Sequence, residues 1–162
     1  MMLEDKIVTR EEALAGIKNW QESGEKVVFT NGCFDLLHAG HVRYLQRAKA
    51  LGKRLIVAVN SDASVRALKG PQRPIQPAAD RAAIIAALES VDLVIVFEEE
   101  RVDRLLALLQ PNIYAKGGDY TTDSLYHTER EVMESYGVEI VILPLDGPST
   151  REIIGKIRQE SG

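Results

Sequence analysis

The chain has 162 residues, with 24 acidic and 20 basic side chains, and a net charge of −4 at pH 7. Its apolar content of 45% and charged content of 27% are typical of a globular protein, and this length predicts a single domain with a sizeable core. The acidic balance argues against bulk nucleic-acid binding, the single cysteine excludes an internal disulfide, and no apolar run is long enough to span a bilayer.

The N-terminal segment is charged and lacks the apolar centre of a signal peptide, so we expect a cytoplasmic protein. Thr9 and Glu12 have the spacing of a capping box, which predicts a helix over residues 10–21 that ends near Gly24. We interpret residues 1–24 as a lead-in helix to the remainder of one domain over residues 1–162.

Residues 31–41, NGCFDLLHAGH, connect a short apolar strand to an amphipathic helix over residues 42–51. A helix that begins near Gly40 leaves His38 in the loop and places His41 in the first turn. Both rings then face the helix N-terminus, where free backbone N–H groups and the helix dipole attract anions. Gly40 removes a side chain where backbone and ligand come close. The pattern indicates phosphate binding and stabilisation of a transferring phosphoryl group.

Other interpretations of this stretch stay open. Cys33, His38 and His41 are residue types that bind metals, although a structural zinc site needs a fourth ligand. The two histidines also fit an ordinary protein surface. Cys33 is a weaker candidate for a nucleophile, because no base is placed beside it by spacing and a free cysteine is most often a small buried apolar residue.

A basic loop follows the second predicted strand. That strand ends in Asn60, Ser61 and Asp62, polar residues at an edge where α/β proteins bind ligands, although a capped turn explains the last two equally well. Residues 68–77, LKGPQRPIQP, contain three prolines and a glycine, which argues against a regular element. The cations of this segment, Lys69 and Arg73, suit a mobile loop that closes over phosphates, but loop charges are also commonly just solvated.

Two further segments carry candidate binding residues. Arg81 lies in the first turn of a helix predicted over residues 80–89, where the helix dipole disfavours a cation. This placement suggests an anionic partner, and the alternative is a surface pair with Asp80 or a neighbour. Lys116, Gly117, Gly118 and Asp119 follow a predicted strand, where the glycines either let the backbone approach a ligand or form a tight turn.

The last informative stretch is residues 147–152, GPSTRE. Ser149 and Glu152 have the spacing of a capping box, which explains both residues without any function. Arg151 is not needed for that cap. A second helix N-terminus with hydroxyl groups and an arginine predicts a second anion site.

Strands and helices alternate along the chain, which predicts an α/β fold: a single doubly wound, Rossmann-like domain with about five parallel strands and helices on both faces. The predicted strands are residues 26–30, 54–59, 93–97, 112–115 and 139–143. Helices are predicted before Pro111 and over residues 125–135, and a last helix closes the domain. Both candidate anion sites then lie at the carboxyl ends of strands.

The histidine stretch resembles the signature G-x-F-D-x-x-H-x-G-H of the cytidylyltransferase-like nucleotidyltransferase superfamily. The matching residues are Gly32, Phe34, Asp35, His38, Gly40 and His41. Further stretches, NSDASV, KG-x-x-RP, KGGDY and GPSTREII, are similar to the adenylyltransferases that act on D-glycero-D-manno-heptose 1-phosphate, in their stand-alone form. Glycerol 3-phosphate cytidylyltransferases look similar up to about Asp119, but their last motif has an arginine before a threonine pair.

The resemblance implies that AMP moves from ATP to a sugar phosphate, with Mg²⁺ bridging phosphates, giving ADP-heptose for lipopolysaccharide core synthesis and pyrophosphate. It implies catalytic roles for His38, His41 and Lys69. The residues implied to bind nucleotide or substrate are Asn31, Gly32, Cys33, Phe34, Asp35, Gly40, Arg81, Lys116, Gly117, Asp119, Ser149, Thr150 and Arg151. We expect small-molecule partners, a homo-oligomer, no protein-ligated metal and no nucleic-acid or membrane partner. A nucleotide-sensing module without turnover is the non-enzymatic alternative.

Overall fold

Five parallel strands form one sheet in the order β3-β2-β1-β4-β5. The computed structural model describes residues 2–117, 127–145 and 147–161. The strands are β1 (Val27–Gly32), β2 (Arg54–Asn60), β3 (Leu93–Phe97), β4 (Ile113–Gly117) and β5 (Glu139–Leu143). The order reverses between β1 and β4, so the chain leaving β1 runs into the helix over residues 39–50 on one face of the sheet and the chain leaving β4 leads to the helix over residues 127–136 on the other. Such a reversal leaves a crevice at the carboxyl ends of the two strands.

Helices connect the strands and cover both faces of the sheet. They are α1 (Arg10–Glu22), α2 (Ala39–Ala50), α3 (Asp62–Lys69), α4 (Ala78–Ala86), α5 (Asp103–Leu109), α6 (His127–Tyr136) and α7 (Thr150–Ser161). A short 3₁₀ helix, Leu3–Lys6, precedes them. No helix in the described parts of the chain combines the length and the apolar character needed to cross a membrane.

Alternating residues of the strands feed two hydrophobic cores, one on each face. Phe29 and Ile56 pack with buried residues of α1, α5 and α6, whereas Val28 and Leu55 pack with buried residues of α2 and α4. The central strands are therefore apolar on both faces, as expected for parallel strands covered by helices. β1 and β2 pair in register along their whole length, from Val27 opposite Arg54 to Gly32 opposite Val59.

The doubly wound fold with five parallel strands is confirmed. The Thr9 capping box is also confirmed, since the Glu12 amide donates to the Thr9 hydroxyl at 3.1 Å. One boundary was wrong: the irregular loop was expected from Leu68, but α3 continues through Lys69. Ser61 caps this helix by accepting from the Ser64 amide, and the helix ends at Gly70, whose φ of 106° suits glycine. Lys69 therefore lies in a helical turn rather than in a loop.

Candidate active site

A cavity of about 540 Å³ lies at the carboxyl ends of β1, β2 and β4. It brings together residues that are far apart in the sequence. The predicted site residues in its lining are Asn31, Gly32, Cys33, Phe34, Asp35, His41, Lys69, Lys116, Gly117, Thr150 and Arg151. His38, Gly40, Arg81 and Ser149 do not line it. Asp119 lies outside the described residues.

The turn after β1 is shaped by a close contact between Gly32 and Phe34. A Cβ on Gly32 would lie 2.9 Å from the Phe34 ring, so a larger residue here would displace the aromatic side chain. Phe34 itself has a φ of 47°, a left-handed conformation that is strained for a bulky residue. Its ring meets the His41 ring edge-on at 5.4 Å between centroids. The strained turn therefore places the Phe34 ring against the His41 imidazole.

The two histidines stack on each other at the N-terminus of α2, with ring centroids 3.8 Å apart. His38 is the N-cap residue, and its Nδ1 accepts from the Gly40 amide at 3.1 Å. His41 is three residues into the helix, and its Nδ1 accepts a longer contact of 3.4 Å from the His38 amide. A neutral imidazole that accepts through Nδ1 carries its hydrogen on Nε2. Both rings thus keep an N–H donor for a ligand.

Burial and the neighbouring His38 lower the pKa of His41 to about 4. Burial also lowers the pKa of His38. Both histidines are therefore neutral at pH 7 in the ligand-free protein, and each offers an N–H group as a hydrogen-bond donor. The predicted positions, His38 in the loop and His41 in the first turn, are confirmed.

Asp35 is buried and holds residues 70–77, the basic segment between α3 and α4. Its carboxylate accepts from the amide of Ile75 at 2.9 Å and from the amide of Gln76 at 3.0 Å, and its backbone carbonyl accepts from the Gln76 side chain. The Arg73 guanidinium lies 3.6 Å from the same carboxylate. These contacts position the basic segment against the turn after β1, a function that sequence spacing did not reveal.

Arg81 is fully buried and donates to three acceptors of the protein. These are the Gln76 carbonyl at 2.9 Å, the Cys33 carbonyl at 2.7 Å and the Asp62 carboxylate at 2.9 Å. Asp62 is thus an anionic partner of Arg81 within the protein. The Arg81 side chain is buried, so the alternative of a surface pair with Asp80 or a neighbour was wrong. Because its guanidinium is bonded to three groups of the protein, Arg81 does not line the cavity but holds together the residues that form its wall.

On the β4 side, hydrogen bonds hold the Lys116 ammonium close to Asn31. Lys116 donates to the Tyr114 hydroxyl at 3.2 Å, and that hydroxyl donates to the Asn31 side chain at 2.7 Å. A Cβ on Gly117 would lie 3.2 Å from the Tyr44 ring. Gly117 thus makes room for Tyr44, a lining residue that the sequence did not identify.

The N-terminus of α7 forms the remaining wall. Ser149 accepts from the Glu152 amide at 3.2 Å, as its predicted capping role requires. The Thr150 hydroxyl donates to the Leu36 carbonyl at 3.1 Å, which connects this helix to the turn after β1. Arg151 lines the cavity, so the charge that the cap does not explain faces the crevice.

Besides Tyr44, three polar or charged lining residues lacked a site assignment from sequence: Asn60, Arg73 and Glu100. Asn60 and Arg73 stood in stretches already singled out, but nothing in the sequence showed which side chains face inward. Glu100 follows β3, and the run of acidic residues around it gave no usable signal.

The lining is cationic within an acidic protein. Lys69, Arg73, Lys116 and Arg151 face the cavity, against the carboxylates of Asp35 and Glu100. Burial raises the pKa of Cys33, so its thiol is protonated. Within the described part of the chain, no three histidine, cysteine or acidic side chains converge to hold a metal ion. The arrangement favours a polyanion over a resident metal at Cys33 and the histidines.

This geometry agrees with a family match. The cytidylyltransferase-like family matches residues 29–154, which is most of the chain. The chain belongs to the cytidylyltransferase-like family. The chain is thus a nucleotidyltransferase, and a nucleotide is among its substrates.

Curated relatives of this cytidylyltransferase-like chain carry the name bifunctional protein HldE. The relative from Geotalea uraniireducens is 52% identical over 93% of this chain, and that from Salmonella arizonae is 49% identical over 96%. The chain spans 31% and 32% of the length of these two relatives, so it corresponds to about a third of each.

Solved structures show the same fold. A lipopolysaccharide core biosynthesis protein from Thermoplasma volcanium is 29% identical with a TM-score of 0.63, covering 78% of this chain and 100% of its own. A pantoate-beta-alanine ligase from Francisella tularensis is 15% identical with a TM-score of 0.61, covering 88% of this chain and 67% of its own. The second likeness concerns the fold alone.

Proposed function

We propose that this cytidylyltransferase-like enzyme transfers AMP from ATP to D-glycero-D-manno-heptose 1-phosphate, giving ADP-heptose and pyrophosphate. The main support is the cavity at the carboxyl ends of β1, β2 and β4, which gathers His41 and four cations, while the His38 ring stacks on His41. The names of the HldE relatives and of the lipopolysaccharide core protein suggest the pathway. In this proposal, residues 1–24 precede a nucleotidyltransferase core over residues 25–162.

The reaction needs alignment and charge neutralisation more than a general base. An oxygen of the sugar phosphate attacks the α-phosphorus of ATP and forms the new P–O bond. The bond from that phosphorus to the oxygen bridging to the β-phosphate breaks, and pyrophosphate leaves with the electron pair. Because the attacking phosphate is already an anion, no proton has to be removed from it.

The histidine pair, the cations and the N-terminus of α7 have separate roles in this scheme. The Nε2–H donors of His38 and His41 stabilise oxygens of the α-phosphate in the transition state. Lys69 neutralises charge where the two anions meet. The N-terminus of α7 holds the β- and γ-phosphates through Ser149, Thr150 and Arg151. Lys116, in β4, binds the same nucleotide.

Asp35 and Arg81 act on the protein rather than on the ligand. Asp35 positions the segment that carries Arg73, and Arg81 supports the carbonyl of Cys33. Mutating either residue is therefore expected to disturb the cavity wall before it disturbs a ligand contact.

The donor set fits Mg²⁺ bound chiefly through phosphate oxygens and water. Asp35 is occupied by backbone amides, which leaves Glu100 as the exposed carboxylate in the described lining. When bound, Mg²⁺ would offset the negative charge of the triphosphate.

A matrix of nucleoside triphosphates against phosphorylated metabolites, scored by pyrophosphate release, tests the proposal. We expect release with ATP and the heptose 1-phosphate. Release with CTP and glycerol 3-phosphate instead would support the cytidylyltransferase alternative. Nucleotide binding with no release for any acceptor would support a sensing module. The His41→Asn variant serves as the background control for contaminating activity.

A further inference from the structure

Asn60, the last residue of β2, has a buried side-chain amide nitrogen without a described hydrogen-bond partner. Its side chain lines the cavity and the residue is 3% exposed. The oxygen Oδ1 receives a weak contact from the Cys33 thiol at 3.9 Å, whereas Nδ2 makes no hydrogen bond to any described residue. A buried donor left unsatisfied costs about 1–3 kcal/mol, so its retention in a fold calls for an explanation.

The surroundings of this amide favour an anionic acceptor. Lys69 and Arg73 line the same cavity, and with the buried Arg81 they act on Cys33, which contacts the Asn60 side chain, against the single carboxylate of Asp35. An N–H donor near two cations is matched by a ligand oxygen that carries negative charge. Phosphate oxygens meet this requirement.

The sheet topology indicates which phosphate lies there. Asn60 and Lys69 come from β2 and the helix that follows it, on one side of β1. Lys116, Thr150 and Arg151 come from β4 and α7, on the other side. In-line displacement needs the attacking and leaving oxygens on opposite sides of the α-phosphorus. With the leaving pyrophosphate at α7, the attacking phosphate belongs on the β2 side.

We propose that Asn60 donates its Nδ2–H to the phosphate of the acceptor substrate, and so selects and aligns the attacking phosphate monoester. The assignment rests on the proposed function for the order of the two substrates. Asn60 is distinct from the residues that the sequence assigned to the site.

Two variants separate donation from packing. Asn60→Ala removes the amide, and Asn60→Asp keeps its shape while replacing the donor with an anion. Both should raise the KM for the sugar phosphate about tenfold or more, with the larger effect for Asn60→Asp. The Kd for a non-hydrolysable ATP analogue should stay within about twofold. The melting temperature of Asn60→Ala should not fall, because an unsatisfied donor is removed.

A matched control is Asn19→Asp, the same change at an exposed position of α1 that does not line the cavity. It should leave both constants unchanged. An equal loss of ATP-analogue affinity in the Asn60 variants would place the residue on the nucleotide side and overturn the assignment. A lower melting temperature with unchanged KM values would show that Asn60 contributes only to packing.

A second readout does not depend on the acceptor's identity. Inorganic phosphate is titrated calorimetrically into the protein saturated with the ATP analogue. Phosphate should bind the wild type about tenfold or more tightly than Asn60→Asp. Equal affinities, or no binding to either, would overturn the assignment. If wild-type protein binds phosphate selectively but releases no pyrophosphate from any substrate pair, the proposed function fails while the donor role of Asn60 stands.

Discussion

At the scale of single residues, the chemistry depends on the two stacked imidazoles. Their Nδ1 atoms are occupied by backbone amides of the same helix turn, which orients the rings and leaves Nε2–H free to donate. The strained Phe34 and the absence of a side chain at Gly32 fix the turn that leads to them. The strained backbone of this turn thus helps to hold a pair of neutral hydrogen-bond donors in place before a ligand binds.

Replacing His41 with asparagine should lower turnover by about 10²–10³-fold, the scale for one transition-state donor. Asparagine keeps an acceptor near the position of Nδ1 for the His38 amide, so the helix cap is retained while Nε2–H is lost. Steady-state kinetics and calorimetric binding of the ATP analogue measure the two effects. We expect the Kd to change far less than kcat. Near wild-type turnover would exclude a transition-state contact.

The depressed pKa of His41 predicts a specific dependence of stability on pH. The unfolded chain binds this proton with a pKa near 6.5 and the folded chain with a pKa of about 4. Between these values the unfolded state carries more protons, so the free energy of unfolding falls as the pH falls. Urea unfolding should therefore give a difference in the free energy of unfolding between wild type and His41→Asn that is constant above pH 7. As the pH falls from 6.5 to 4, the wild type should lose stability relative to the variant. A difference independent of pH would contradict the shift.

At the scale of elements, two helix ends and one loop form the walls of the cavity. α2 and α7 present N-termini, and α3 presents Lys69 from its last turn. The Thr150 hydroxyl connects α7 to the turn after β1, and Asp35 holds the segment between α3 and α4. A basic segment that closes over phosphates remains a prediction. The contacts of Asp35 mean that movement would be centred on residues 69–72, which precede the fixed part.

The position of Lys69 at the end of α3 predicts a kinetic signature. Lys69→Ala should depress kcat more than it raises the KM for ATP, because its charge acts mainly while the α-phosphorus is attacked. Lys69→Arg should rescue poorly, since a planar guanidinium does not replace a compact ammonium. Arg66→Ala, an exposed cation on the same helix that does not line the cavity, is the matched control. A change in KM alone would show that Lys69 only attracts the nucleotide.

At the scale of the whole molecule, the fold concentrates positive charge in an acidic protein. The net charge is −4, yet the described cavity lining carries four cations and two carboxylates. A low-dielectric crevice of this kind focuses the potential and draws in anionic substrates. Arg81 does not line this cavity but stabilises its wall, because one buried guanidinium links the turn after β1, the basic segment and α3.

Arg81→Met should destabilise the protein although the substitution keeps much of the side-chain volume. The partly buried carbonyls of Cys33 and Gln76 lose their donor and the Asp62 carboxylate loses its ion pair, which together cost about 1–3 kcal/mol. Urea unfolding measures the loss, and Arg66→Met at an exposed position should stay within about 0.5 kcal/mol of the wild type. An unchanged free energy of unfolding for Arg81→Met, with weaker nucleotide binding, would instead favour a ligand contact.

The sequence by itself determined the features that depend on residues close together in the chain. Apolar runs predicted all five strands, and the Thr9 cap and the placement of His38 and His41 followed from spacings of three residues. Such features are decided by hydrogen bonds within one turn and by burial of a whole strand, so local pattern is sufficient.

Only the tertiary structure decided which polar groups are used within the protein and which face the cavity. Asp35 bonds to an amide 40 residues away, and Arg81 bonds to a carbonyl 48 residues away and a carboxylate 19 residues away. Asn60 is singled out because no described hydrogen-bond partner reaches its side-chain nitrogen, Nδ2. A side chain's spacing along the sequence does not fix its distance to groups on other strands and helices. Those distances are set by the packing of the helices on the sheet.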